Sequence, residues 1–143
     1  MSESLDEFLT DDHNRLDELI ASFQERKDES PLEAAEFLAQ FTAALLRHLV
    51  WEETILFPLF EQKTSQTALT NTLRAEHEDI REWLRALNEK VEAGDADCDH
   101  KAAMLVNELG AHNGREEQAL YPRLDKLLSD AETQDTFERM SRI

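Results

Sequence analysis

A chain of 143 residues is expected to form about one domain with one buried core. Its 32 acidic and 15 basic residues leave a net charge of −17, and with 41% hydrophobic residues it is too apolar to stay unfolded. That surplus of negative charge excludes nucleic acid and an anionic membrane surface as partners, since both need a basic footprint. Three glycines, three prolines and one tyrosine are sparse stock for turns and sheets, so helices are expected. The one cysteine, Cys98, has no internal partner, which fits a reducing compartment. The stretch Met1-Ser2-Glu3-Ser4-Leu5-Asp6-Glu7 lacks a basic start and an apolar run, and no segment approaches ~18 consecutive apolar residues. A soluble cytoplasmic protein is the expectation.

Apolar residues recur at steps of three and four in four long segments, the pattern of helices that bury one stripe. The first carries Leu5, Leu9, Leu16, Ile20 and Phe23, opened by a capping box of Ser4 and Glu7. The second is opened by Ser30-Pro31-Leu32-Glu33, an N-cap, a proline at the first helical position and a second capping-box glutamate. Its stripe runs Ala34, Leu38, Phe41, Leu45, His48, Glu52, Ile55, Leu59. The third places Leu69, Leu73, His77, Ile80, Leu84, Leu87 and Val91 on one face and closes at Gly94. The fourth carries Leu105, Leu109, His112, Glu116, Leu120, Leu124 and Leu127, and Ser129-Asp130-Ala131-Glu132 caps a short terminal helix. Pro58 and Pro122 fall inside helical patterns and should kink or loosen them. Short polar connections imply antiparallel neighbours, so the fold class is all-α: an up-down-up-down, left-handed four-helix bundle with a short C-terminal helix.

The halves of the chain repeat. His13 and His77, His48 and His112, and Glu52 and Glu116 are each 64 positions apart, and His-x3-Glu-Glu-x3-Leu-aromatic-Pro occurs at both His48 and His112. A single domain over residues 1–143 is expected, built of two helical hairpins over about 4–62 and 66–128 that face each other across a pseudo-twofold axis.

One histidine on a helix stripe is usually a hydrogen-bonded core residue. Four of five histidines and two glutamates on buried stripes are harder to place, because unpaired imidazoles and carboxylates cost several kcal/mol in an apolar interior. A metal compensates them. His48 with Glu52 and His112 with Glu116 are i,i+4 pairs that face one side of a helix. The donors His13, His48, Glu52, His77, His112 and Glu116 suit iron or manganese, and zinc can accept them too. Glu53 and Glu117, five residues beyond a histidine, are expected to point away. Asp17 and Glu76 are read either as carboxylates that orient a histidine or as solvated groups. Trp51 and Trp83 read as packing residues and His100, about 18 Å along the helix from His112, as a surface residue.

These residues resemble the hemerythrin family, and more narrowly its HHE cation-binding branch, over almost the whole chain. The resemblance implies that Glu52 and Glu116 bridge two iron ions, with His13 and His48 on one and His77 and His112 on the other, in an oxo- or hydroxo-bridged di-iron centre. The ferritin-like alternative would need Glu-x-x-His, and Thr10, Leu45, Arg74 and Leu109 stand where its glutamates would be. The chain departs from the oxygen-carrying hemerythrins, whose third helix resembles His-x3-His: Leu73 and Arg81 flank His77 at that spacing. Losing that imidazole is expected to leave about one open position on each metal. The remaining four-histidine, two-glutamate set is similar to that of family members that handle oxygen, nitric oxide or peroxide, or that repair iron centres. The implied role is in oxidative or nitrosative stress or iron handling, with a small diatomic ligand or peroxide and a redox partner. Turnover as an oxidoreductase, binding as a gas or iron sensor or store, and a purely structural metal bundle are the three readings, and no motif singles out an organic substrate.

Overall fold

The computed structural model describes residues 3–95 and 97–143; Met1 and Ser2, the first two residues of the stretch that lacks a leader pattern, lie outside them. Helix α1 spans Leu5–Arg26, and the Ser4 hydroxyl oxygen accepts from the Glu7 amide at 3.0 Å. The Glu7 carboxylate accepts from the Ser4 hydroxyl at 3.0 Å rather than from the Ser4 amide, so only the first half of the expected capping box forms. Helix α2, Pro31–Trp51, has proline in its first turn as expected, but Ser30 makes no side-chain cap bond. Glu33 instead accepts from the Arg26 guanidinium at 2.5 Å, tying the end of α1 to the start of α2. A π turn, Glu52–Leu56, then leads into α3, Phe57–Thr64. Helix α4 is Ala68–Glu92, closed by Gly94 in the left-handed region at φ +72°. Helix α5, Asp99–Arg115, passes through a second π turn, Glu116–Leu120, into α6, Tyr121–Leu127. Helix α7, Asp130–Ser141, begins at Ser129 with the full capping box to Glu132. No helix of the described residues is long and apolar enough to cross a membrane.

Helix α1 packs along α2 and α4 along α5, and α1 also lies against α5 and α6. The result is an all-helical up-down-up-down bundle with α7 docked by the indole of Trp51, which donates to the Met140 carbonyl at 3.0 Å.

The prolines explain the π turns. A proline has no amide hydrogen, so the i−4 carbonyl loses its donor and the helix can close one residue later. The amides of Phe57 and Tyr121, each just before a proline, donate to the carbonyls of Glu52 and Glu116, five residues back. The expected loosening thus takes the form of one extra residue in each rod. That residue shifts the inward stripe. Beyond the first turn Leu56, Phe57 and Phe60 are buried while Leu59 is half-buried; beyond the second, Tyr121, Leu124 and Leu128 are buried and Leu127 is 37% exposed. A regular 3.6-residue period placed Leu59 and Leu127 inward, and the π turns correct it.

The core falls into two apolar clusters. One is built on Leu16, Phe23, Leu38, Phe41, Leu45, Leu84 and Leu105. The other is built on Leu5, Leu9, Leu56, Phe57, Phe60, Leu73, Leu120 and Leu124. Between them in the sequence of every rod lies a buried polar set: His13, His48, Glu52, His77, His112 and Glu116.

Candidate metal centre

All six sequence-predicted side chains meet in that layer. The Nε2 atoms of His13 and His48 lie 3.2 Å apart, and those of His77 and His112 lie 3.1 Å apart. The two carboxylates stand between the pairs and divide their oxygens. Glu52 turns Oε2 to His48 Nε2 at 3.3 Å and Oε1 to His77 Nε2 at 2.9 Å. Glu116 turns Oε1 to His13 Nε2 at 3.4 Å and Oε2 to His112 Nε2 at 3.2 Å. Two overlapping groups can therefore hold a metal ion, His13-His48-Glu52-Glu116 and Glu52-His77-His112-Glu116, and both contain both carboxylates. Cys98 and the four positions that a ferritin-like site would use belong to neither.

The outer nitrogen of each imidazole is also held. His13 Nδ1–H donates to Glu117 at 2.7 Å and His77 Nδ1–H to Glu53 at 2.7 Å. His48 donates to Asp12 at 2.7 Å and His112 to Glu76 at 2.8 Å. A carboxylate on Nδ1–H fixes the ring with Nε2 facing inward, the orientation metal-binding histidines use. Glu53 and Glu117 do not point away, as their i+5 position suggested: across the bundle each meets a histidine of the other hairpin. Asp17 makes no such contact, and Glu117 takes the place proposed for it beside His13. Glu76 does orient a histidine, but His112 rather than its neighbour His77. Arg81 does not enter the layer; it donates to both oxygens of Glu53, at 2.5 and 2.9 Å.

The spacing held a signal for these partners. Asp12 and Glu76, and Glu53 and Glu117, are themselves 64 positions apart, so the repeat covers the outer carboxylates as well as the inner donors. Another missed residue breaks the repeat. Tyr121 corresponds at that offset to Phe57, and its hydroxyl donates to Glu52 Oε2 at 2.5 Å. The π turn puts it there, because residues five apart lie about 140° apart on an α-helix but come nearly into line when the turn closes one residue later. Tyr121 and Glu116 share a face, 3.0 Å from hydroxyl to Oε1.

Two ionised carboxylates at the centre of the layer call for positive charge beside them. Among the described residues Glu116 Oε2 is a buried oxygen with no hydrogen-bond partner, and two imidazole nitrogens face each other on either side. Burial works against charge on His48, but the Glu52 carboxylate and the hydrogen bond to Asp12 outweigh it and lift its pKa to about 10. Burial likewise opposes charge on His112, where Glu116 and Glu52 raise the value to about 11. Two protons on imidazoles are thus the substitute for positive charge that the donors otherwise require. Imidazole and carboxylate donors, an orphaned buried oxygen and anchored rings all fit a metal.

No curated protein and no solved structure matches the chain. The hemerythrin HHE cation-binding domain matches residues 4–124, a span that takes in all six inner donors, every outer carboxylate and Tyr121. On that match, and with a helical bundle whose centre can hold cations, the chain belongs to the hemerythrin HHE cation-binding family.

Proposed function

We propose that the chain is a non-haem di-iron protein that binds or reacts with a small ligand, namely oxygen, nitric oxide or peroxide. The observation that carries this reading is the division of both carboxylates, each giving one oxygen to the His13–His48 pair and the other to the His77–His112 pair. Mononuclear sites have no use for that arrangement, whereas a bridging carboxylate needs it. His13, His48, His77 and His112 would hold the metals terminally, with Glu52 and Glu116 between them. Held by these residues, a pair of iron ions would supply electrons to an oxidant or a vacant position to a diatomic gas.

The protein's own contribution is placement. Asp12, Glu53, Glu76 and Glu117 hold the imidazole rings and keep protons on Nδ1, leaving Nε2 free. The apolar clusters on either side keep bulk water from the layer. Nothing in this arrangement selects an organic substrate, which supports a role in oxidative or nitrosative stress or in iron handling, with electrons from a separate redox partner in the cytoplasm. Iron content with an optical spectrum before and after reduction tests the centre: about two irons per chain are expected. Steady consumption of peroxide or nitric oxide by the reduced protein supports turnover. Stoichiometric uptake that stops after one equivalent supports the sensing or storage reading.

A further inference from the structure

We propose that Tyr121 is itself a ligand to the metal on the His13–His48 side, so that the two metals are unlike and small ligands enter on the His77–His112 side alone. The inference rests on the di-metal reading and deepens it.

The position of one oxygen carries the argument. The Tyr121 hydroxyl, fully buried, lies 3.2 Å from His13 Nε2, 3.1 Å from His48 Nε2, 2.5 Å from Glu52 Oε2 and 3.0 Å from Glu116 Oε1. Those four atoms are the inward donors of one candidate metal group. A phenol can accept from an imidazole N–H but has one proton to give, so hydrogen bonding does not account for the contacts to both carboxylates at once. Coordination does. With metal–donor bonds of about 2.1 Å, adjacent ligands of an octahedral ion stand about 3 Å apart. The other donors keep the same spacing: His13 to His48 is 3.2 Å, His13 to Glu116 is 3.4 Å and His48 to Glu52 is 3.3 Å.

An octahedron has two positions adjacent to all four of these donors, one facing the second metal and one on the far side. Among the described residues, the Tyr121 oxygen makes no polar contact with His77 or His112. It therefore takes the far position and does not bridge. On the other side the equivalent residue is Phe57, whose ring lies 5.2 Å from that of His77 and has no oxygen to offer. Both aromatics follow a π turn and donate their amides to the corresponding glutamate carbonyl, so the backbones match at this point and the two aromatic side chains differ by one oxygen.

The consequence revises the expectation of an open position on each metal. With roughly six positions per ion and one solvent-derived bridge, two imidazoles, two carboxylate oxygens and the phenolate fill the His13–His48 side. The His77–His112 side keeps one position free. Tyr121 then supplies the inequality that an additional imidazole at Leu73 or Arg81 would have supplied. Its hydroxyl proton passes to solvent when the oxygen binds.

Tyr121 is the one tyrosine of the chain, so any tyrosinate signal belongs to it without a variant. Chelator-treated protein is loaded with ferrous iron without oxygen, oxidised, and studied by iron content, resonance Raman in the visible and azide titration. Expected are about two irons, tyrosinate ring modes enhanced in a visible charge-transfer band, and about one azide per chain. Tyr121→Phe should lose the band, keep its iron and take up about two azides. A wild-type chain that fails to load iron sinks the di-metal reading and this inference together. Full iron loading without tyrosinate modes overturns this inference alone and leaves Tyr121 as a hydrogen-bond donor to Glu52. An azide count other than about one, or one unchanged in the variant, overturns the inequality of the two sides. Should Tyr121→Phe not fold, the wild-type Raman spectrum still decides whether the phenolate binds.

Discussion

Glu53 follows Glu52 directly, yet its carboxylate accepts from Nδ1 of His77, 2.7 Å away on the opposite hairpin, while both of its oxygens are held by Arg81. Adjacent glutamates thus do different things: Glu52 reaches the inner nitrogens and Glu53 fixes a ring from outside. Glu117 does the same for His13. Glu53→Ala or Glu117→Ala should keep the fold and weaken metal affinity roughly 10- to 100-fold, since a ring without its outer partner turns and loses basicity. Glu52→Ala or Glu116→Ala removes a donor from both metal groups and should cut iron content outright. A competition titration against a chelator separates the two classes. Wild-type affinity in Glu53→Ala would show that the His77 contact orients nothing.

The paired protons on His48 and His112 make metal binding pH-dependent. Both imidazoles have raised pKa values, about 10 and about 11, so near neutral pH both are protonated in the metal-free protein and must lose those protons when a cation binds. Affinity should rise roughly tenfold per pH unit for each proton, or about a hundredfold per unit for the two. Titration at several pH values, or proton release into a weakly buffered solution, measures the slope. The metal-free fold should respond in the opposite sense. A raised imidazole pKa stabilises the folded state fully below the ordinary 6.5, and that contribution is lost as pH climbs through about 10. A metal affinity flat between pH values of about 6 and 8 would show that the imidazoles are not the groups displaced.

The π turns shift which leucine at the end of α6 faces the core, and mutation can read the shift. Leu128 is 8% exposed and Leu127 37%. Leu128→Ala should cost about 2 kcal/mol or more and Leu127→Ala under about 1 kcal/mol, by urea denaturation. The reverse order would mean that the helix continues with a regular period through Glu116–Leu120.

The six inner donors were legible in the sequence because their chemistry conflicts with their position: histidine and glutamate on an apolar stripe, repeated at one offset, fit a shared cation far better than they fit a packed core. The bundle was legible from the same periodicity. What the period could not show was where it breaks. Pro58 and Pro122 announced a disturbance, but a proline is compatible with a kink, a stop or an inserted residue, and only packing selects the last. Without that insertion the period places Leu59 and Leu127 inward, and five residues on a regular helix turn Tyr121 away from Glu116, leaving it as the aromatic of a repeated motif. Glu53 and Glu117 were misplaced for a different reason. Reading one helix at a time tells which way a side chain leaves its own rod and not which histidine waits on the neighbouring hairpin.

Metal removal should loosen the middle of the molecule more than its ends. The polar layer lies between two apolar clusters that share no members, one built on Phe23, Phe41 and Leu105 and the other on Phe57, Phe60 and Leu124. Each cluster excludes water on its own, but the layer joining them contains the orphaned Glu116 Oε2 and two close pairs of imidazole nitrogens. A metal that binds the folded state alone, present at about a thousand times its dissociation constant, stabilises that state by about 4 kcal/mol. For a chain of this length that corresponds to roughly 10 °C in melting temperature. Chelator-stripped protein should melt lower by about that amount and recover when iron is returned. Amide exchange should locate the effect, with the greatest loss of protection around His48–Glu52 and His112–Glu116 and little change around Phe23 or Phe60. An unchanged melting temperature would mean that the folded layer gains nothing from a cation, and would count against metal binding by these six residues.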